Sequence, residues 1–187
     1  MTALSPSLVQ AARRHEPEAW NALLKEHQLP LCAYAAELLG DRTAALDVVQ
    51  ETFAAAVRHI GTLRDDERFG SWLFGLAHQK CVQHWRRSRR AEDVFAPSAD
   101  DATNAGEFAD EATPDPRASL LRREESEEFF ATIATLSPAH RSVLLLHVVE
   151  DFSLEEIARI TDVPVGTVKS RLHHAKRALR ETMEARP

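Results

Sequence analysis

A chain of 187 residues with 44% apolar content can bury a core, yet it is short enough to be two small helical or mixed units, so length alone leaves the domain count open. The net charge of −6 weighs against a nucleic-acid partner only until its distribution is read: five basic residues and no acid lie between Lys80 and Arg90, five more and no acid between Val163 and Arg180, and twelve acids against three bases between Ala91 and Glu128. No apolar run approaches the ~20 residues that span a bilayer, and the start, MTALSPSLVQAARR, lacks a basic region followed by an apolar stretch, so a cytoplasmic protein with no membrane contact of its own is expected.

Apolar residues recur at helical spacing through Ala19, Trp20, Leu23 and Leu24, through Leu31, Tyr34, Leu38 and Leu39, and through Val48, Val49, Thr52, Phe53 and Ala56. This pattern predicts three helices. A fourth begins near Phe69 and runs past Gly75 into Trp85 and an arginine-rich end, where cations suit the helix dipole. Trp72, in line with Phe69 and Leu76, reads as core; Phe74 and Trp85 fit either a core or a base-stacking role. Cys32 and Cys81 read as reduced core thiols. Cys81 shares a helix face with His84, but two ligands do not complete a zinc site, and no metal or cofactor is expected.

Residues 91–117 combine Pro, Ala, Asp and Glu with few large apolar side chains and no period, the composition of a flexible acidic linker. Beyond it, Leu120, Leu121, Phe129, Phe130, Ile133 and Leu136 mark a helix ending at Ser137-Pro138, an N-cap followed by a proline at the first helical position. The next helix carries Val143, Leu144, Leu146, His147 and Val148. Ser153-Leu154-Glu155-Glu156 is a capping box that opens a helix through Ile157, Ala158 and Ile160. After Thr161-Asp162-Val163-Pro164 comes a last helix with Val165, Val168, Leu172, Ala175 and Leu179 on one face. No segment alternates as a strand does, so the chain is expected to be all-α.

Two helices separated by about four residues, the second basic, form the pattern of a helix-turn-helix whose second helix enters the major groove. With Val168, Leu172 and Ala175 turned inward, Thr167, Lys169, Ser170, Arg171, His173 and His174 lie outward. Arg171 is the best candidate for a bidentate contact to guanine; Lys169, Lys176 and Arg177 suit phosphate, and Thr167 and Ser170 either role. A solitary exposed arginine is more often idle. Five cations on one capped helix reverse those odds.

The stretch LSPAHRSVLLLHVVEDFSLEEIARITDVPVGTVKSRLHHAKRALRE resembles the fourth conserved region of the extracytoplasmic-function sigma factors of the sigma-70 family. LDVVQETFAAAVRHI and FGSWLFGLAHQKCVQHWRRSRR are similar to the second conserved region. The resemblance implies a region-2-like unit over residues 1–90 and a region-4-like unit over residues 118–187. It further implies RNA polymerase core, through its beta and beta-prime subunits, and promoter DNA as partners, with an anti-sigma factor as antagonist. Asp47, Gln50 and Glu51 would dock on the beta-prime clamp helices; residues 60–68 match in position the loop that helps capture a flipped base of the downstream (−10) element. The fourth helix offers Gln79, Lys80, Gln83, Arg86 and Arg87 to that DNA, while the helix-turn-helix reads the upstream (−35) element. Three departures stand out: Gln79 where Asn is common, Gln83 where Asp is common, and Leu46 where Glu is usual before Asp47.

Such a protein initiates transcription at specific promoters, assists their melting, and is not an enzyme. Its rivals are a sigma mimic that sequesters an anti-sigma factor, an independent one-component regulator, and an enzyme. The first lacks its usual receiver domain here, the second does not account for the polymerase-docking resemblance, and the third finds no nucleophile, phosphate loop or ligand cluster at a recognised spacing.

Overall fold

The computed structural model describes the backbone of residues 6–94 and 129–184, and every element in them is helical. Helices α1 (Pro6–Arg13), α2 (Pro17–Leu39), α3 (Arg42–His59) and α4 (Phe69–Val94) make the first unit, with two 3-10 turns, Ile60–Thr62 and Asp66–Arg68, between α3 and α4. Residues 129–134 (α5), α6 (Pro138–Val148), α7 (Leu154–Thr161) and α8 (Val165–Glu184) make the second. The first four residues of the expected linker continue α4 to Val94, and the rest of it, with Leu120 and Leu121, lies outside the described residues.

The two apolar runs expected as separate helices are one helix, α2, which passes through Pro30. A proline inside a helix removes one backbone hydrogen bond and costs roughly 3 kcal/mol. Here Leu23, His27, Leu31, Cys32, Tyr34 and Ala35 are buried on both sides of it, and that packing holds the helix through. The helix ends at Gly40, whose φ of 69° is the left-handed conformation glycine adopts without strain while its N–H bonds to the Ala36 carbonyl at 2.8 Å. Asp41 then caps α3, accepting from the N–H groups of Thr43 and Ala44 at 2.8 and 3.2 Å.

Helix α1 has no counterpart among the predicted elements. Val9 and Ala12 are fully buried, and Trp20 Nε1 donates to the Ala12 carbonyl at 3.0 Å, so α1 is seated on the core of the first unit.

The two units share one apolar core. Helix α4 packs against α2 and α3 on one side and α7 on the other, and α2 also meets α6. Phe74, fully buried, stands between Tyr34 of α2 and Phe152 at the start of the helix-turn-helix, with ring centroids 5.6 and 5.1 Å away. At Gly75 a Cβ would lie only 3.9 Å from the Ile160 Cα, so the backbones of α4 and α7 come close. Arg141 of α6 reaches across to donate to the Glu37 carbonyl at 2.9 Å while also donating to the carbonyls of Leu136, at 3.1 Å, and Ala134.

Candidate nucleic-acid interface

In the helix-turn-helix the capping box forms in full: Glu156 N–H donates to Ser153 Oγ at 3.3 Å, and Ser153 N–H donates back to Glu156 Oε2 at 2.9 Å. Helix α7 stops at Asp162, which takes the left-handed conformation (φ 54°) open to aspartate, and Thr167 N–H bonds to the Pro164 carbonyl at 2.9 Å as α8 begins. Ser137, expected to cap α6, instead bonds His140 Nδ1 through its hydroxyl at 3.0 Å, and no side-chain cap bond forms.

Val168, Leu172 and Ala175 are buried, as their spacing predicts. Lys169, Ser170, His173, His174, Lys176 and Arg177 are exposed on the opposite side, and Thr167 and Arg171 are half-buried. Arg177 makes an exposed ion pair with Glu181 at 3.5 Å. Arg171 lies on α8, which packs on α6, and its charge helps hold the His78 and His140 imidazoles below their usual range, behind burial at both and, at His140, behind the charge of His174 as well.

On α4, Gln79, Gln83, Arg86 and Arg87 are exposed, and their spacing of four, three and one residues puts them on one face. Lys80 is half-buried because its ammonium is engaged: Nζ lies 2.9 Å from Glu51 Oε2 of α3, a pairing that holds the Glu51 carboxyl below its usual range. A candidate docking carboxylate and a candidate DNA-binding lysine are thus joined. Asp47 and Gln50 are exposed beside Glu51, Leu46 is 45% exposed, and Val49 and Phe53 turn inward.

Phe74 and Trp72 are packing residues. Trp72 is half-buried with its ring 5.8 Å from that of Phe69, and Trp85 is half-buried. Cys32 and Cys81 are buried free thiols, and burial pushes Cys81 up to about 12.

Three residues that periodicity does not single out shape these surfaces. His78 is held down to about 4, chiefly by burial, and its Nδ1 lies 2.8 Å from Tyr34 Oη; burial also keeps the Tyr34 phenol protonated, so it donates to the neutral ring. Phe152 closes the junction with Phe74. Arg13 grips the 60–68 segment through Ile60, Leu63 and Asp66. In sequence, only the absence of a helical role for Phe152, in the loop before the capping box, hints at such a function.

Comparison with known proteins matches residues 23–91 to Sigma-70 region 2 and residues 126–179 to Sigma-70, region 4. The chain is 35% identical to the ECF RNA polymerase sigma factor SigL of Mycobacterium tuberculosis over 177 residues, covering 94% of this chain and 95% of that protein. It is 30% identical to the RNA polymerase sigma-H factor of Pseudomonas aeruginosa over 178 residues, covering 95% and 92%. Among solved structures, CnrH in complex with the cytosolic domain of CnrY superposes with a TM-score of 0.68 at 22% identity, covering 97% of this chain and 98% of that one. The sigma factor RpoE bound to the anti-sigma factor NepR from Bartonella quintana gives 0.68 at 24% identity, covering 89% and 99%.

Proposed function

The chain belongs to the extracytoplasmic-function group of the sigma-70 family, and from that membership we propose how its surfaces divide the work of starting transcription. Residues 1–90 form the unit that docks on core polymerase and reads the downstream element, residues 91–117 the connection, and residues 118–187 the unit that reads the upstream element. Asp47, Gln50 and Glu51 present a polar face to a basic surface of the beta-prime subunit. The observation that carries this reading is the outward face of α8, where Lys169, Ser170, His173, His174, Lys176 and Arg177 are exposed on a helix held by a complete capping box.

Arg171 serves base edges, Thr167 and Ser170 either bases or phosphate, and the lysines and Arg177 anchor phosphates. On α4, Arg86 and Arg87 hold the backbone of the melted strand, Gln79 and Gln83 offer amides that both donate and accept at base edges, and the 60–68 segment receives the flipped base. The protein contributes no catalytic group; the polymerase performs the chemistry. It acts in the cytoplasm, beside the chromosome. RpoE is held by NepR, and an anti-sigma protein is the expected antagonist of this chain also.

The promoter sets the distance the two units have to span. Elements centred about 25 base pairs apart lie ~85 Å apart at about 3.4 Å per base pair. In the structure α4 packs against α7, the helix that precedes the reading helix α8. The contour of residues 95–128, at roughly 3.4 Å per residue, reaches ~115 Å, enough to let the units part on the polymerase while keeping each near its site.

The test adds purified protein to sigma-free core polymerase on fragmented genomic DNA and sequences the transcripts, with Arg171→Ala alongside. Discrete starts preceded by two spaced motifs, weakened by Arg171→Ala, are the expected result. Core binding without transcripts makes the protein a sequestering mimic, and no core binding makes it an independent regulator.

A further inference from the structure

Residues 60–68 connect α3 to α4 through the two 3-10 turns, in the first of which Leu63 N–H donates to the Ile60 carbonyl at 3.2 Å. Arg13, the last residue of α1, adds donors from outside the segment. Its Nη1 donates to the Ile60 carbonyl at 3.0 Å, its Nη2 donates to the Leu63 carbonyl, and Nε and Nη2 both reach Asp66 Oδ1, at 3.1 and 2.9 Å. A planar guanidinium with five N–H groups is the one side chain that can do all of this at once.

The grip comes from behind. Ile60, Leu63 and Phe69 are buried, whereas Gly61, Thr62, Arg64, Glu67 and Arg68 are exposed. Arg13 itself is partly covered, with 28% of its side chain exposed against 18% for Asp66, so the pair is shielded while the outer side of the segment stays open. The outer side is also knit internally: Thr62 Oγ1 donates to the His59 carbonyl at 2.8 Å, Glu67 N–H donates to Asp65 Oδ1 at 3.1 Å, and Arg68 pairs with Asp65 at 3.0 Å. Helix α1 has its own anchor in Val9, Ala12 and the Trp20 bond, so the arginine is delivered from a fixed base.

We infer that Arg13 is a positioning residue for promoter reading: by tying Ile60, Leu63 and Asp66 to α1 it holds the 60–68 segment in the shape that receives a single-stranded base. A segment ordered beforehand loses less conformational freedom when the base enters, and the saving goes to the base that fits that shape. The inference rests on the proposed function. It extends the base-reading machinery to a residue more than forty positions upstream of the segment it serves, outside the residues matched to the region-2 family.

The experiment measures, with polymerase holoenzyme, binding of the single-stranded downstream element from the promoter mapped above and of the same strand with each base in turn made abasic. Arg13→Lys is the informative variant, because lysine keeps the charge opposite Asp66 and loses the fork onto two carbonyls. Arg13→Ala removes both. In the wild type one abasic position should weaken binding sharply. In Arg13→Lys the penalty at that position should shrink about fivefold or more, with core affinity and duplex upstream-element binding unchanged and Arg13→Ala at least as affected. The inference is overturned if Arg13→Lys keeps the full penalty, or if penalties at all positions and upstream binding fall together, the mark of a fold defect. A wild-type holoenzyme that starts no specific transcripts instead overturns the proposed function, and this inference with it.

Discussion

Two arginines use the same device in two regions of the molecule, and they differ in how completely it is satisfied. Arg13, inside the first unit, donates to two carbonyls and is backed by the Asp66 carboxylate. Arg141, at the junction between units, donates to three carbonyls, one of them across the junction, but its buried Nε has no hydrogen-bond partner among the described residues, and burial lowers its pKa against the opposing pull of Glu37. A guanidinium that leaves a donor unmet gives back part of what its other bonds contribute. The contact inside one unit is more fully satisfied than the contact between the two.

The largest blow to this contrast is Phe74→Ala, since Phe74 serves both the first unit's core and the junction. Removing a fully buried phenylalanine costs about 3–5 kcal/mol, and chemical denaturation should register it as lost stability together with greater separation of the units in small-angle scattering. Arg141→Ala should separate the two effects: about 1.5–3 kcal/mol for the charge-assisted bonds, with the units moving apart while helix content is kept. If scattering does not change, the junction does not depend on Arg141.

Acidification sharpens the comparison. His27, within the first unit, and His78, beside the junction, are both held at about 4 by burial, so the packed state excludes protons that the unpacked chain takes up near 6.5. Their contribution is therefore full above pH 6.5 and is lost as pH falls from 6.5 towards 4. Glu37 and Glu150 are raised by burial, so packing takes up protons there and partly offsets the loss. Denaturation midpoints measured between pH 7.5 and 5 should fall, and His78→Gln should flatten the part of that fall that tracks unit separation; an unchanged slope would assign the effect to His27 alone. The smallest effect belongs to the helix-turn-helix, where Ser153→Ala should cost about 1 kcal/mol in melting experiments and leave the units' separation unchanged.

What the sequence made legible was whatever is written locally. The capping box, the stop at residues 162–164, and the inward face of Val168, Leu172 and Ala175 all depend on neighbours within a few positions. The break expected between the runs ending at Leu24 and beginning at Leu31 is absent because burial on both sides of Pro30 holds α2 through. Arg13, Phe74 with Phe152, and Tyr34 with His78 act through partners 44 to 78 positions away, and no period carries that information. The exposed candidates were found by type and spacing; that Lys80 is engaged and Arg171 half-covered depends on which helices meet.

In the roles proposed above, the Glu51–Lys80 ion pair would join polymerase docking and DNA binding in one equilibrium. A basic partner that draws Glu51 away weakens its hold on Lys80, and a phosphate that draws the Lys80 ammonium away weakens its hold on Glu51. Whichever partner arrives first thereby lowers the cost for the second, and thermodynamic reciprocity makes the gain equal in both directions. An exposed pair of this kind is worth about 0–1 kcal/mol, so the mutual enhancement is at most about fivefold. That is a modest gain for each encounter, but across a genome of competing sites the proposed roles would make it favour the protein already on polymerase over the protein alone.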